Sequence, residues 1–177
     1  MGPAHLNPAV TIAMAIAGNF SWSLVVPFIL AQVAGGVIGA TLVWLTYLDH
    51  WQATEDKGAI LGTFATCPAI RNYPANVLTE MIGTIVLVLG LLSFSQHTFA
   101  DGMNPLVVGV LIVSIGLSLG GATGYAINPA RDLGPRIAHQ ILPIANKGDS
   151  DWSYSWVPVV GPVLGAIIAA GIFLVIM

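Results

Sequence analysis

The sequence predicts an all-α membrane protein with two re-entrant half-helices, and three observations carry that prediction. Apolar residues make up 56% of the 177, whereas Asp, Glu, Lys and Arg together supply 7%, against about a quarter in an ordinary soluble domain. Four runs are apolar and read as membrane spans, for which a full crossing takes roughly 20 helical residues. The tripeptide Asn-Pro-Ala occurs twice, at Asn7-Pro8-Ala9 and Asn128-Pro129-Ala130. Each copy opens a helical run too short to cross.

Asn-Pro-Ala reads as a helix start. Asn is a favoured N-cap, and Pro is tolerated at the first helical position, where its missing N–H is no loss. One copy alone would be a plain cap. Two copies in a chain this apolar point to a pore or transporter built on broken helices. The first half-helix runs from Pro8 to Gly18, closed by Gly18-Asn19. A span follows over 21–48, with small residues at Ala34-Gly35-Gly36 and Gly39-Ala40 that allow close helix approach. The most polar connection, 49–73, carries Glu55, Asp56, Lys57 and Arg71 and reads as a long vestibular loop. Pro74 to about Gln96 is the next span, apolar except for Glu80, and Pro105 to about Leu119 another. Gly120 to Gly124 reads as a non-helical approach to the second half-helix, which runs to about Gln140. A loop over 143–155 leads to the last span, 156–177, and Trp152 and Trp156 suit an interfacial belt.

A repeat is visible in this order: motif, half-helix, loop, then a span opening Val26-Pro27-Phe28 in one half and Val157-Pro158-Val159 in the other. We divide the chain into 1–48, a connecting loop 49–73, and 74–177. The net charge of −3 offers no basic surface, so no nucleic-acid partner is expected. The lone Cys67 permits no internal disulfide and reads as a bystander thiol. His5, His50, His97 and His139 have no metal-ligand spacing, so no metal or cofactor is expected. No cleavable leader is expected either, since Met-Gly-Pro runs at once into the first motif. No nucleophile–base pair, phosphate loop or metal cluster suggests an enzyme.

Irregular backbone at membrane depth is tolerated where it is buried in protein or lines water. The stretches 2–6 and 121–127 are therefore expected to offer a ladder of carbonyls, from Gly2, Ala4, His5 and Leu6 in one half and Gly124, Ala126 and Ile127 in the other. Asn7 and Asn128 can cap their helices with the amide oxygen and donate from the amide nitrogen. Two helix N-termini aimed at one point oppose cations, hydronium included. Arg131 follows the second motif directly, and charge inside a membrane usually marks a pathway; the plainer alternative is an arginine snorkelling to headgroups. Glu80, the one acid in an apolar span, reads as a carboxylate accepting loop N–H groups, with an interfacial Glu near a helix start as the alternative.

The residues His5-Leu6-Asn7-Pro8-Ala9-Val10-Thr11 and Gly124-Tyr125-Ala126-Ile127-Asn128-Pro129-Ala130-Arg131-Asp132-Leu133-Gly134-Pro135-Arg136 resemble the major intrinsic protein (aquaporin) family, specifically its glycerol-facilitator, or aquaglyceroporin, branch. The resemblance runs through essentially the whole chain. It implies an aquaporin-like right-handed helical bundle with inverted repeats, in the cell membrane as a multi-pass homotetramer with one pore per subunit. It also implies six spans, so the first two are expected to be missing from this sequence. By resemblance, Arg131, Tyr125 and Gly116 form the selectivity filter, with Tyr125 where many facilitators have Phe and Gly116 where water-selective relatives often have His. Asp132 and Arg136 look structural, and with Pro158 and Val159 fit the polyol branch. Lysine and arginine counts would place 49–73 and 143–155 inside the cell; the resemblance places them outside, and we follow it. The implied function is passive conduction of glycerol and small uncharged solutes, with water. A water-dominant pore, or one for urea, dihydroxyacetone or protonated short acids, is the runner-up, and a secondary transporter the reading from another class.

Overall fold

The computed structural model describes residues 5–176, and within them the chain is helical with no strand. Its elements are α1 (Pro8–Ile16), α2 (Trp22–Thr46), α3 (Leu48–Ala53), α4 (Lys57–Phe64), α5 (Tyr73–Phe94), α6 (Met103–Thr123), α7 (Pro129–Ile141) and α8 (Val157–Ile176). Among the described residues, α2, α5, α6 and α8 are long and apolar enough to cross a membrane. Short α1 and α7 are the two half-helices.

Local chemistry sets the ends of both. Asn7 caps α1 by accepting from Ala9 N, and Asn128 caps α7 by accepting from Ala130 N and Arg131 N, with Pro next in line each time. α1 stops where Gly18 takes φ +77°, a left-handed conformation that glycine adopts without a Cβ penalty.

The densest packing brings α5 against α8 and α2 against α7. Both seams exploit glycine. A Cβ on Gly134 of α7 would lie 2.7 Å from Val33 O and 2.9 Å from Gly36 Cα of α2. On α8, a Cβ on Gly161 would meet the Glu80 side chain at 2.7 Å, and one on Gly165 would strike Met81 O. The main core joins Ala9, Val10 and Ala13 of α1 to Leu87, Val88 and Leu92 of α5 and Ala166, Ala169 and Ala170 of α8. A second cluster, Ala40, Trp51, Ile60, Phe64, Ala138 and Ile144, seats α3 and α4 on α7. The outward faces of α2 and α6 are aliphatic, with Leu30, Ile38, Val113 and Leu117 exposed, as suits lipid.

Two expectations need correction. The connection 49–73 is not a plain loop: Asp56 caps α4 by accepting from Gly58 N and Ala59 N, and Trp51 of α3 is buried. Gly120 to Thr123 are not a non-helical approach but the last residues of α6, which ends at Gly124 with φ +76°. Glycine is compatible with membrane helices, and here Gly120 makes room for an aromatic ring: its Cβ would lie 2.8 Å from Tyr125 Cδ1.

Candidate functional site

The two half-helices present their N-termini to one another and exchange hydrogen bonds. Asn7 Nδ2 donates to Ile127 O at 2.7 Å, and Asn128 Nδ2 donates to Leu6 O at 3.0 Å. Each asparagine thus caps its own helix with its oxygen and reaches across with its nitrogen to the carbonyl preceding the other asparagine. An amide nitrogen carries two hydrogens; the cross-brace takes one and leaves one. The Leu6 and Ile127 carbonyls likewise keep one lone pair each.

The backbone before Asn128 is strained and held. Tyr125 and Ile127 have φ of 40° and 43°, a region in which non-glycine residues are uncommon and cost about 1–3 kcal/mol each. Glu80 meets that cost. Its Oε1 accepts from Ala126 N at 3.0 Å and Thr123 Oγ1 at 2.7 Å, and its Oε2 from Ile127 N at 2.6 Å. The glutamate is itself buried. Because a trans peptide points its N–H and C=O in opposite directions, these bonds turn the carbonyls of Tyr125 and Ala126 away from Glu80. Ala126 belongs to the expected ladder; the Tyr125 carbonyl was not in it. Before Asn7, the His5 carbonyl accepts from Gln32 Nε2 at 2.8 Å, and the same nitrogen donates to Thr11 Oγ1 at 2.9 Å. The His5 ring packs edge-on against Phe20, centroids 5.0 Å apart. Gly2 and Ala4 lie outside the described residues.

Two cavities open beside this junction. One, of about 390 Å³, is lined by the polar Asn7, Asn128, Tyr125 and Arg131 and by the apolar Leu87, Leu91 and Ile112 among others. The second, of about 500 Å³, lies toward α2 and is lined by Phe28, Gln32, Asn128 and Arg131. His5, Leu6, Asn128 and Arg131 border both.

Arg131 Nη1 donates to Phe64 O at 3.3 Å, which fixes the guanidinium against the end of α4. Gly116 borders neither cavity. A Cβ on it would lie 3.1 Å from Tyr125 Cζ, so Gly116 is the floor on which the Tyr125 ring rests.

Behind Arg131, Asp132 and Arg136 are both fully buried and paired, Nε to Oδ1 at 2.8 Å and Nη2 to Oδ2 at 2.9 Å. Arg136 also donates to the carbonyls of Ser150, Asp151 and Thr66, and Asp132 Oδ2 accepts from both Thr66 N and Thr66 Oγ1. At the rim, Arg71 pairs with Asp151. Burial opposes ionisation of Asp151, but hydrogen bonds from Arg71 and Ser153 outweigh it and hold the carboxyl below its ordinary value. Sequence reasoning missed Gln32, Phe64, Thr66, Thr123 and Ser150. The signals available were a lone Gln in the α2 span and a Thr close to the second motif.

Four spans and two capped half-helices meeting at a polar junction define a multi-pass membrane protein. The family model described as "Major intrinsic protein" matches residues 2–173. "Glycerol uptake facilitator protein 3" of Lactiplantibacillus plantarum is 65% identical over 173 residues, covering 98% of this chain and 72% of that protein. The "Probable glycerol uptake facilitator protein" of Thermotoga maritima is 59% identical over 170 residues, covering 96% and 73%. The "D/L-lactic acid transporter" of L. plantarum is 47% identical over 173 residues, covering 96% and 72%. Among solved structures, the aquaglyceroporin from Plasmodium falciparum aligns with a TM-score of 0.81 at 28% identity, over 96% of this chain and 71% of that one. The chain belongs to the major intrinsic protein family.

Proposed function

We propose that the protein is a passive transmembrane channel conducting glycerol and other small uncharged solutes, with water, while excluding ions and protons, and that it acts without catalysis. The observation that carries this reading is the reciprocal brace of Asn7 and Asn128 beside a cavity that also holds Arg131 and Tyr125. The free N–H of each asparagine donates to a passing oxygen, and two helix N-termini behind them repel cations. A water whose oxygen accepts from both asparagines cannot relay a proton along a single file. At the filter, Arg131 supplies fixed donors for hydroxyls, and the Tyr125 ring, seated on Gly116, supplies an apolar face for the CH edge of a polyol. The carbonyl ladder and Glu80, Asp132 and Arg136 support that geometry.

The names of the glycerol uptake facilitators among its relatives favour glycerol. The lactic acid transporter among them favours, as a second reading, the protonated form of a short hydroxy acid. We place the channel in the membrane as a homotetramer.

The test is stopped-flow light scattering on proteoliposomes holding the full chain, comparing glycerol, lactic acid and water. Rapid, non-saturating glycerol entry that collapses in Gly116→His supports the reading, because the imidazole displaces the Tyr125 ring. Fast water flux with neither organic solute entering refutes it.

A further inference from the structure

We propose that Thr66 is a positioning residue of the filter, holding Arg131 in place through its chain neighbour Asp132; this rests on reading Arg131 as part of the filter. Thr66 lies in the extended segment after α4 and is buried. Its N–H and its hydroxyl both donate to Asp132 Oδ2, at 2.8 and 2.7 Å, and Asp132 follows Arg131 directly. Its carbonyl accepts from Arg136 Nη2 at 2.8 Å, which ties the same point to the far side of the buried ion pair. On its other side, Thr66 Cγ2 would stand 3.3 Å from a Cβ on Gly124, the residue before Tyr125. Two residues upstream, the Phe64 carbonyl takes Arg131 Nη1. One short stretch, 64–66, therefore braces Arg131 by its side chain and Asp132 by its carboxylate, while the Thr66 methyl only fills the space that a side chain on Gly124 would need.

The residue type follows from the chemistry. Asp132 Oδ2 is a buried carboxylate oxygen with three donors: the Thr66 N–H, the Thr66 hydroxyl and Arg136 Nη2. Valine matches threonine in shape and withholds one of the three. A buried charge short of a donor rearranges toward another, and here that movement carries Arg131 with it. Serine keeps the donor and gives up only the methyl.

The experiment measures the ratio of xylitol to glycerol permeability, by stopped-flow light scattering at matched protein content, for the full chain and for Thr66→Val and Thr66→Ser. A selectivity ratio is a readout that a purely structural role would not move, since misfolded protein lowers both fluxes together. Thr66→Val is expected to raise the ratio by about threefold or more, the scale on which small misplacements register at a site built for fit. Thr66→Ser is expected to restore the wild-type ratio. If Thr66→Val does not insert, Thr66→Cys, whose thiol is a weak donor, makes the same comparison. An unchanged ratio in the valine or cysteine variant overturns the proposal, and so does a serine variant shifted as far as the valine. A wild-type channel that admits no glycerol overturns the filter reading itself, and the Thr66 proposal with it; that outcome is visible before any variant is measured.

Discussion

Arg136→Met removes a guanidinium that is fully buried beside a fully buried carboxylate, and its cost follows from what is left behind. The methionine stem fills much of the arginine's path, so the loss is mainly electrostatic. Asp132 retains the two Thr66 donors but loses those from Arg136 Nε and Nη2, at 2.8 and 2.9 Å. The carbonyls of Thr66 and Ser150 lose the guanidinium, while Asp151 O still accepts from Tyr154 N. Breaking a buried pair from one side costs about 3–5 kcal/mol, because one charge remains uncompensated. At roughly 2–4 °C per kcal/mol for a chain of this size, the melting temperature should fall by roughly 6–20 °C. The double variant Asp132→Asn/Arg136→Met strands no charge and should recover part of that loss. Tryptophan fluorescence during heating in detergent, for the wild type, both single variants and the double, gives the coupling directly. Arg136→Met melting within about 2 °C of wild type, or two single losses that simply add, would show that the pair does not hold this loop.

Glu80→Ala releases the N–H groups of Ala126 and Ile127 from a strained backbone, and glycerol flux should fall by about tenfold or more at equal inserted protein; flux near wild type would refute the role given to Glu80. The Tyr154 hydroxyl is buried with no hydrogen-bond partner among the described residues, so Tyr154→Phe should leave the melting temperature unchanged or raise it, since an unsatisfied buried polar group is costly; a clear drop would mean the hydroxyl is bonded. Gly134→Ala places a methyl 2.7 Å from the Val33 carbonyl, and backbone cannot yield as a side-chain tip can, so a loss of about 1–3 kcal/mol is expected in the same melting assay. Asp151 has a lowered folded pKa, so its stabilising contribution is fully present above the ordinary 3.8 and lost as pH falls through the lower folded value. The acid-side loss of stability should shrink in Asp151→Asn; an identical acid profile would refute the assignment.

What the sequence made legible was what local chemistry decides. An N-cap involves residues two and three positions away, so Asn7 and Asn128 announce their helices, and a single carboxylate in an apolar span marks Glu80. What it hid is what arrives from elsewhere in the chain. Thr66 stands 66 positions from Asp132 and Gln32 stands 27 from His5, with no periodicity to connect them. The short helices α3 and α4 were lost in a polar stretch, although Asp56 two residues before Gly58 was a readable cap. Gly120 to Thr123 were misplaced because glycine runs break helices in water, while inside this bundle a glycine face is a seat for Tyr125.

The two halves also differ in how their loops are held, which the repeated tripeptide conceals. Among the described residues, the loop before Asn128 is gripped through its N–H groups by the acceptor Glu80, and the one before Asn7 through its His5 carbonyl by the donor Gln32. The first grip turns the Tyr125 and Ala126 carbonyls away from Glu80. The second takes one lone pair of the His5 carbonyl, which the sequence assigns to the ladder, and leaves the other. The repeat is therefore symmetric at its asparagines, where each braces the other half, and asymmetric one residue further out.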